Sequence, residues 1–250
     1  MSRYRIIQFP ELDSTNRHVC ARLAELTDGD VIQAVVQTAG HGRLRRPWVS
    51  HVPGNLCMTL VLKPRQAPPG VLPLANLSQL LALSVCRALE AHGAAATLKW
   101  PNDVLVGGRK IAGLLAESVM QGAEFLGMAL GVGVNLNLDA AALATINQPA
   151  TSLAEWTGTP VAVDAFRDAI LEDFFACYDA FLATGFPLIR QETLARCRFI
   201  GTAVELRRGD GSLCGVASDL TADGALELRT PDGTRHRIEM GEMFAAPPAG

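Results

Sequence analysis

Residues 99–120, KWPNDVLVGGRKIAGLLAESVM, leave the backbone little choice. Two apolar runs flank Gly107-Gly108, a pair that reads as the tight turn of a β-hairpin. Ahead of the first run, Trp100-Pro101-Asn102-Asp103 reads as a rigid, polar turn. Lys110 falls on the second strand, close to Gly113, whose missing side chain leaves space for a ligand. A hairpin of this kind commits the chain to a sheet.

The flanking sequence supplies more of the same sheet and the helices to cover it. Residues 4–26 read as a short strand, a loop and a helix, with Ser14 or Thr15 as N-cap and Val19, Leu23 and Leu26 at helical spacing. DGDVIQAVVQT and NLCMTLVLKP read as strands. A helix is predicted over 71–92, with Leu74, Leu77, Leu81, Val85 and Leu89 as its buried stripe and Gly93 as its C-cap. EFLGMALGVGVNLN reads as an apolar strand ending in a Gly-rich loop; its apolar character fits either an inner strand or an edge that pairs two copies as a homodimer. Helices are predicted near 163–184 and 187–197. From Phe199 the pattern changes to short alternating runs broken by GDG, ADG and PDG, a small all-β, barrel-like module. The fold class is therefore α+β: a mixed sheet with helices over residues 1–198 and a small C-terminal β-barrel over 199–250.

Composition narrows the function. The hydrophobic fraction of 49% supports a sizeable core, and the net charge of −3 argues against a nucleic-acid partner. Six cysteines, at 20, 57, 86, 177, 197 and 214, have no C-x-x-C spacing and read as reduced thiols of a cytoplasmic protein. No signal peptide or membrane-spanning run is apparent. Only three of the 22 basic Lys and Arg side chains are lysines, and two of them, Lys99 and Lys110, lie in the hairpin region. A retained ammonium in an Arg-rich chain draws attention to tight geometry that a planar guanidinium does not fit.

Common catalytic signatures are missing: no P-loop, no G-x-S-x-G, no His pair at metal spacing, so no resident metal site is expected. Gly131 and Gly133 in GVGVNLN lack the third glycine of a dinucleotide fingerprint. Four polar segments remain. Asp13-Ser14-Thr15-Asn16 offers hydroxyls and an amide at a helix start, where backbone N–H groups favour an anion or polar ligand. TAGHGRLRRPWVS, residues 38–50, combines glycines with Arg forks suited to phosphate or carboxylate. The hairpin carries Lys110, and the Gly131–Asn135 strand end completes the set.

Together these segments resemble the biotin protein ligase family, in the pattern D-S-T-N, Q-x-A-G-R-G-R-x-G-R-x-W, K-W-P-N-D, K-x-[AG]-G-[IL] and G-[IV]-G-[IV]-N. Here they are Asp13–Asn16, Gln37–Trp48, Lys99–Asp103, Arg109–Leu114 and Gly131–Asn135. The resemblance covers nearly the whole chain, including the C-terminal module with its MGEM. It implies a class II synthetase-like biotin/lipoate ligase fold with an SH3-like C-terminal barrel. It also implies activation of biotin with ATP and Mg²⁺ to biotinyl-AMP, and transfer to a lysine of a biotin carboxyl carrier protein. Carried over residue by residue, Ser14, Thr15 and Gln37 would bind the biotin rings, with Asn16 beside them. Gly40, His41, Gly42 and Arg43 would form the loop over the carboxylate and acyl phosphate. Lys110 would contact both groups, with Lys99 and Asn102 nearby. Gly113, Gly131 and Gly133 would form the pocket walls, and Trp48 and Asn135 would lie on the adenine and phosphate side. Asp103 would meet the acceptor amine, so the expected catalytic residues are Lys110, Arg43 and Asp103.

This chain departs from the pattern at His41, where the family has an arginine, and at Arg45, where it has a glycine. It also starts about a dozen residues before the D-S-T-N tetrad, which leads us to expect no N-terminal helix-turn-helix and no repressor activity. A lipoate or octanoate ligase of related fold is the alternative.

Overall fold

The computed structural model describes residues 3–64, 76–208 and 211–246. Its larger sheet has seven strands: β1 (Arg5–Leu12), β2 (Asp30–Gln37), β3 (Leu56–Leu62), β4 (Ala96–Lys99), β5 (Asp103–Val106), β6 (Arg109–Gln121) and β7 (Glu124–Val134). Their spatial order is β1-β2-β3-β7-β6-β5-β4, with β1 and β2 parallel and every other neighbouring pair antiparallel. The expected hairpin is β5–β6, and Gly107 and Gly108 turn it with φ of 57° and 78°. β7 lies between β3 and β6. It is therefore an inner strand, and the alternative in which its edge pairs two copies is ruled out. Its glycines sit inside the strand rather than in a loop after it.

Period-2 alternation along β3 divides the labour of the sheet. Leu56, Met58, Leu60 and Leu62 join the main core, which packs under α2 (Asn76–Ala91) and α5 (Val163–Thr184). On the opposite face Val61 packs with Val19 and Leu23 in a second cluster beneath α1 (Thr15–Arg22). Thr59 and Cys57 share that second face. Leu77, Leu81, Val85 and Leu89 are fully buried, as the stripe predicts, and Leu74 lies outside the described residues. α2 is buried almost all round, because Asn76 and Gln79 turn toward the C-terminal sheet instead of solvent. Arg87 on α2 holds Asp173 on α5 and Glu192 on α6 (Arg190–Arg196), tying the three helices together. Two short helices, α3 (Ala140–Ala144) and α4 (Leu153–Thr157), were not expected. Asp139 and Ser152 cap them as N-cap acceptors.

The C-terminal module is all-β: β8 (Ala203–Arg208), β9 (Gly211–Leu220), β10 (Leu226–Arg229), β11 (Arg235–Ile238) and β12 (Glu242–Ala245). The order is β11-β10-β9-β8-β12, the antiparallel strands of the expected barrel-like module, with no backbone ladder between β11 and β12 among the described residues. Residues 239–241 alone carry the chain from β11 to β12, which brings the two edges of the sheet near each other, and the Gly241 carbonyl accepts from Arg43. The sheet docks on the larger unit through the turn at 223–224. Asn76 donates to the Asp223 carbonyl at 2.7 Å, and the Trp100 indole donates to the Gly224 carbonyl at 3.3 Å.

Candidate active site

The second face of the large sheet carries a patch with little side-chain bulk. Gly113 on β6, Gly133 on β7 and Cys57 on β3 are direct cross-strand neighbours; so are Leu115, Gly131 and Thr59. These two rows form the floor of a cleft. A β-carbon on Gly131 would stand 2.0 Å from Asn16 Oδ1, and one on Gly133 would stand 2.5 Å from the Trp48 indole. Neither strand position admits a side chain while those neighbours stay in place.

At one end of the floor the start of α1 lies over β3. The Ser14 side chain caps α1 by accepting from the Arg17 N–H at 3.4 Å. Thr15 donates to Gln37 Oε1 from its backbone at 2.8 Å and from its hydroxyl at 3.1 Å. The Thr59 hydroxyl is 2.6 Å from Asn16 Oδ1 and 2.8 Å from Thr15 Oγ1, and Asn16 Nδ2 donates to Glu117 at 2.8 Å and to the Leu115 carbonyl at 3.1 Å. Ser14, Thr15, Asn16, Gln37 and Thr59 are all buried, so this end is a fixed polar network. Thr59 and Glu117 were not expected from sequence. Neither belongs to a motif, and only the pairing of β3, β7 and β6 brings them to α1.

The basic loop is a small hairpin over the cleft. Trp48 N–H donates to the Gly40 carbonyl at 2.9 Å, and Gly42 N–H donates to that of Arg46 at 2.8 Å. Leu44 and Arg45 both take left-handed conformations, φ 55° and 56°. The family's glycine corresponds to Arg45, a position that favours a residue without a β-carbon. The Arg43 guanidinium donates to Asn102 Oδ1 and to the Gly241 carbonyl, both at 3.1 Å. The Trp48 ring lies in the cleft, its centre 5.6 Å from Lys110 Nζ.

At the other end Lys110 Nζ meets Asp103 Oδ1 at 2.8 Å, with the two side chains 17% and 15% exposed. Asp103 is the cross-strand partner of Lys99, whose ammonium stands 4.9 Å from the Phe244 ring centre. Burial pushes the Lys99 ammonium below its ordinary value, Asp103 opposes that shift, and the positive charge of Lys110 adds to it. The third lysine, Lys63, is away from the cleft and donates to the carbonyls of Leu23 and Leu26.

The cleft thus gathers Ser14, Thr15, Asn16, Gln37, His41, Gly42, Arg43, Trp48, Lys99, Asn102, Asp103, Lys110, Gly113, Gly131 and Gly133. Gly40 and Asn135 stand off it. Gly40 packs in the stem of the loop, where a β-carbon would meet Ser50 Oγ at 2.4 Å. Asn135 turns its amide to the Thr151 carbonyl at 3.1 Å, bracing the segment that pairs with Lys110. Gln148, Gly241, Glu242 and Phe244 line the cleft in addition. Their contribution was not legible because they approach from segments remote in sequence; MGEM was noted only as part of the resemblance.

A sheet with a glycine floor, a polar pocket at a helix start, and a basic loop facing a half-buried lysine suits a polar ligand that carries an anionic group. The chain belongs to the Biotin/lipoate A/B protein ligase family, which matches residues 9–135, and residues 199–245 match the Biotin protein ligase C terminal domain. It is 40% identical to a biotin–[acetyl-CoA-carboxylase] ligase of Paracoccus denitrificans, over 93% of this chain and 97% of that one. It is 29% identical to the bifunctional ligase/repressor BirA of Escherichia coli, over 88% of this chain and 67% of BirA. Among solved structures, the biotin protein ligase from Aquifex aeolicus in complex with biotin and ATP superposes with a TM-score of 0.81 at 27% identity, covering 96% of this chain and 97% of that one.

Proposed function

We propose that this protein activates biotin with ATP to biotinyl-5′-AMP and transfers the biotinyl group to a lysine of a biotin carboxyl carrier protein. The observation that carries the reading is the convergence of Asp13–Asn16, Gln37–Trp48, Lys99–Asp103, Lys110–Gly113 and Gly131–Gly133 on one cleft, in a chain 40% identical to a biotin–[acetyl-CoA-carboxylase] ligase.

In the first step a biotin carboxylate oxygen attacks the α-phosphorus of ATP, an O–P bond forms, and pyrophosphate leaves. Two anions must meet, and Lys110 and Arg43 offset their repulsion. The hydroxyl and amide end of the cleft takes the polar ring system of biotin, and the Trp48 indole, beside Lys110, lies on the adenine and phosphate side. Mg²⁺, as the counter-ion of the nucleotide, would add screening of its phosphates to that given by Lys110 and Arg43. In the second step the acceptor amine attacks the acyl carbon and AMP leaves. While Lys110 is paired with Asp103 both charges are neutralised. Once Lys110 engages phosphate, the Asp103 carboxylate is released to orient the incoming ammonium and take its proton. Residues 1–198 form the catalytic unit and 199–250 a C-terminal module. A cytoplasmic location suits the unpaired cysteines. No helix among the described residues is long and apolar enough to cross a membrane. The net charge of −3 gives nucleic acid no general attraction.

A lipoate or octanoate ligase needs an apolar sleeve for its chain. Here the inner end is Thr15, Asn16, Gln37 and Thr59, which suits a ureido ring instead. Calorimetric titration with biotin and with lipoate tests the choice. Saturable biotin binding is expected, and lipoate binding in its place overturns it.

A further inference from the structure

The basic loop gains little from its own packing. Leu44 at its tip is 74% exposed, and Leu44 and Arg45 hold left-handed backbone conformations that side chains disfavour. Its basic side chains are instead held by other segments. Arg43 reaches Asn102 and the Gly241 carbonyl. Arg46 and Glu242, at the start of β12, meet through two N–O contacts of 2.7 Å each, the two-pronged arrangement that fixes direction as well as distance.

Glu242 is well placed to hold Arg46. Its cross-strand neighbour is Arg207, but that guanidinium is already taken by Glu205 at 2.8 and 3.0 Å and lies over the Phe244 ring. The Glu242 side chain is 22% exposed, against 61% for Arg46, so the carboxylate is the fixed half of the pair. The sheet that carries it is itself anchored beside the cleft. Trp100, next to the catalytic hairpin, donates to Gly224, and a β-carbon on Gly224 would sit 2.6 Å from Asn76 Oδ1.

We propose that Glu242 is a positioning residue for the ligase reaction. Through Arg46 it latches the basic loop down over the activated acyl intermediate, so the C-terminal sheet sets how long that intermediate is retained. The inference rests on the function proposed above.

The test loads full-length enzyme with biotin and α-labelled ATP, and follows loss of enzyme-bound biotinyl-AMP after a chase. Glu242→Gln keeps the size of the side chain and removes the charge. It is expected to release the adenylate about 2- to 5-fold faster, the range for an ion pair of this exposure. Labelling of added bystander amines should rise in proportion. The exchanged pair Arg46→Glu with Glu242→Arg should return the rate toward wild type, which a merely structural loss would not do. An unchanged release rate in Glu242→Gln overturns the latch, as does an exchanged pair that leaks as much as the single variant. If Glu242→Gln does not fold, Arg46→Gln on the exposed side makes the same measurement. A wild-type protein that forms no adenylate overturns the functional reading and the latch with it. Wild-type adenylate with an unaltered variant rate overturns the latch alone.

Discussion

Replacing Gly131 with Ala should disable biotin binding through a steric conflict with one named atom. The added methyl would lie 2.0 Å from Asn16 Oδ1 and 2.8 Å from its Cγ. Restoring an ordinary contact of 3.4 Å requires a relative movement of about 1.4 Å. Asn16 cannot make that movement and keep its partners, since it is fixed to Thr59, Glu117 and Leu115 by contacts of 2.6, 2.8 and 3.1 Å. Losing one such bond in a buried site costs about 1 kcal/mol, and stranding a buried donor or acceptor costs about 1–3 kcal/mol. The expected destabilisation is about 2–4 kcal/mol, or about 4–16 °C in Tm for a chain of this size. Biotin affinity should fall with it, because the polar pocket is built from the same network. Thermal melts and calorimetry measure both. Gly211→Ala is the control, with its nearest neighbouring atom 4.0 Å away. A double-mutant cycle decides the cause: Asn16→Ala should absorb most of the cost of Gly131→Ala, giving a coupling of about 1 kcal/mol or more. Additive effects, or a Gly131→Ala protein that melts and binds like wild type, would refute the reasoning.

Three further outcomes are expected. Lys110→Ala should abolish adenylate formation, and near-normal pyrophosphate release by that variant would sink the assignment. Arg43→Gly removes the bonds to Asn102 and Gly241 and should loosen retention of the adenylate, seen as diffuse labelling of bystander lysines; tight, selective labelling would count against it. Burial raises the Glu192 carboxyl, but its bonds to Arg87 and the charges of Arg87 and Arg196 outweigh this and leave it below its ordinary value. Its stabilising contribution is therefore complete above the unfolded pKa near ~4.3 and is lost as pH falls through the lower folded value. Melting from pH 6 to pH 3 should show Glu192→Gln losing about 1 kcal/mol less stability than wild type, and parallel curves would reject this.

The β5–β6 hairpin was readable because its signal is local. An apolar run, two glycines able to take positive φ and a second apolar run suffice, and the polar turn and lysine ride on them. The motif segments could be picked out for the same reason. Local signals fail where long-range pairing decides. Thr59 is an unremarked residue in LCMTLVL until β3 aligns it with Gly131 and brings α1 above both. Asn135 belongs to the same motif as Gly131 and Gly133, yet it follows the strand, where its amide serves the Thr151 carbonyl. The C-terminal module was readable from its turn spacing, since the GDG, ADG and PDG breaks report its successive hairpins. Arg45 stands where the family has a glycine, and its left-handed φ gives a specific reason why a glycine suits the position.

β3 has a consequence for how this protein tolerates change. Its even-numbered residues are held by the hydrophobic core and its odd-numbered ones face the α1 side, where Thr59 joins the polar pocket. Substitutions one position apart are therefore subject to separate selective pressures. Errors at 56, 58, 60 and 62 disturb the main core and those at 61 the smaller cluster under α1, while an error at 59 disturbs the polar network that also holds the start of α1. Position 59 therefore couples the shape of the polar pocket to the stability of the chain.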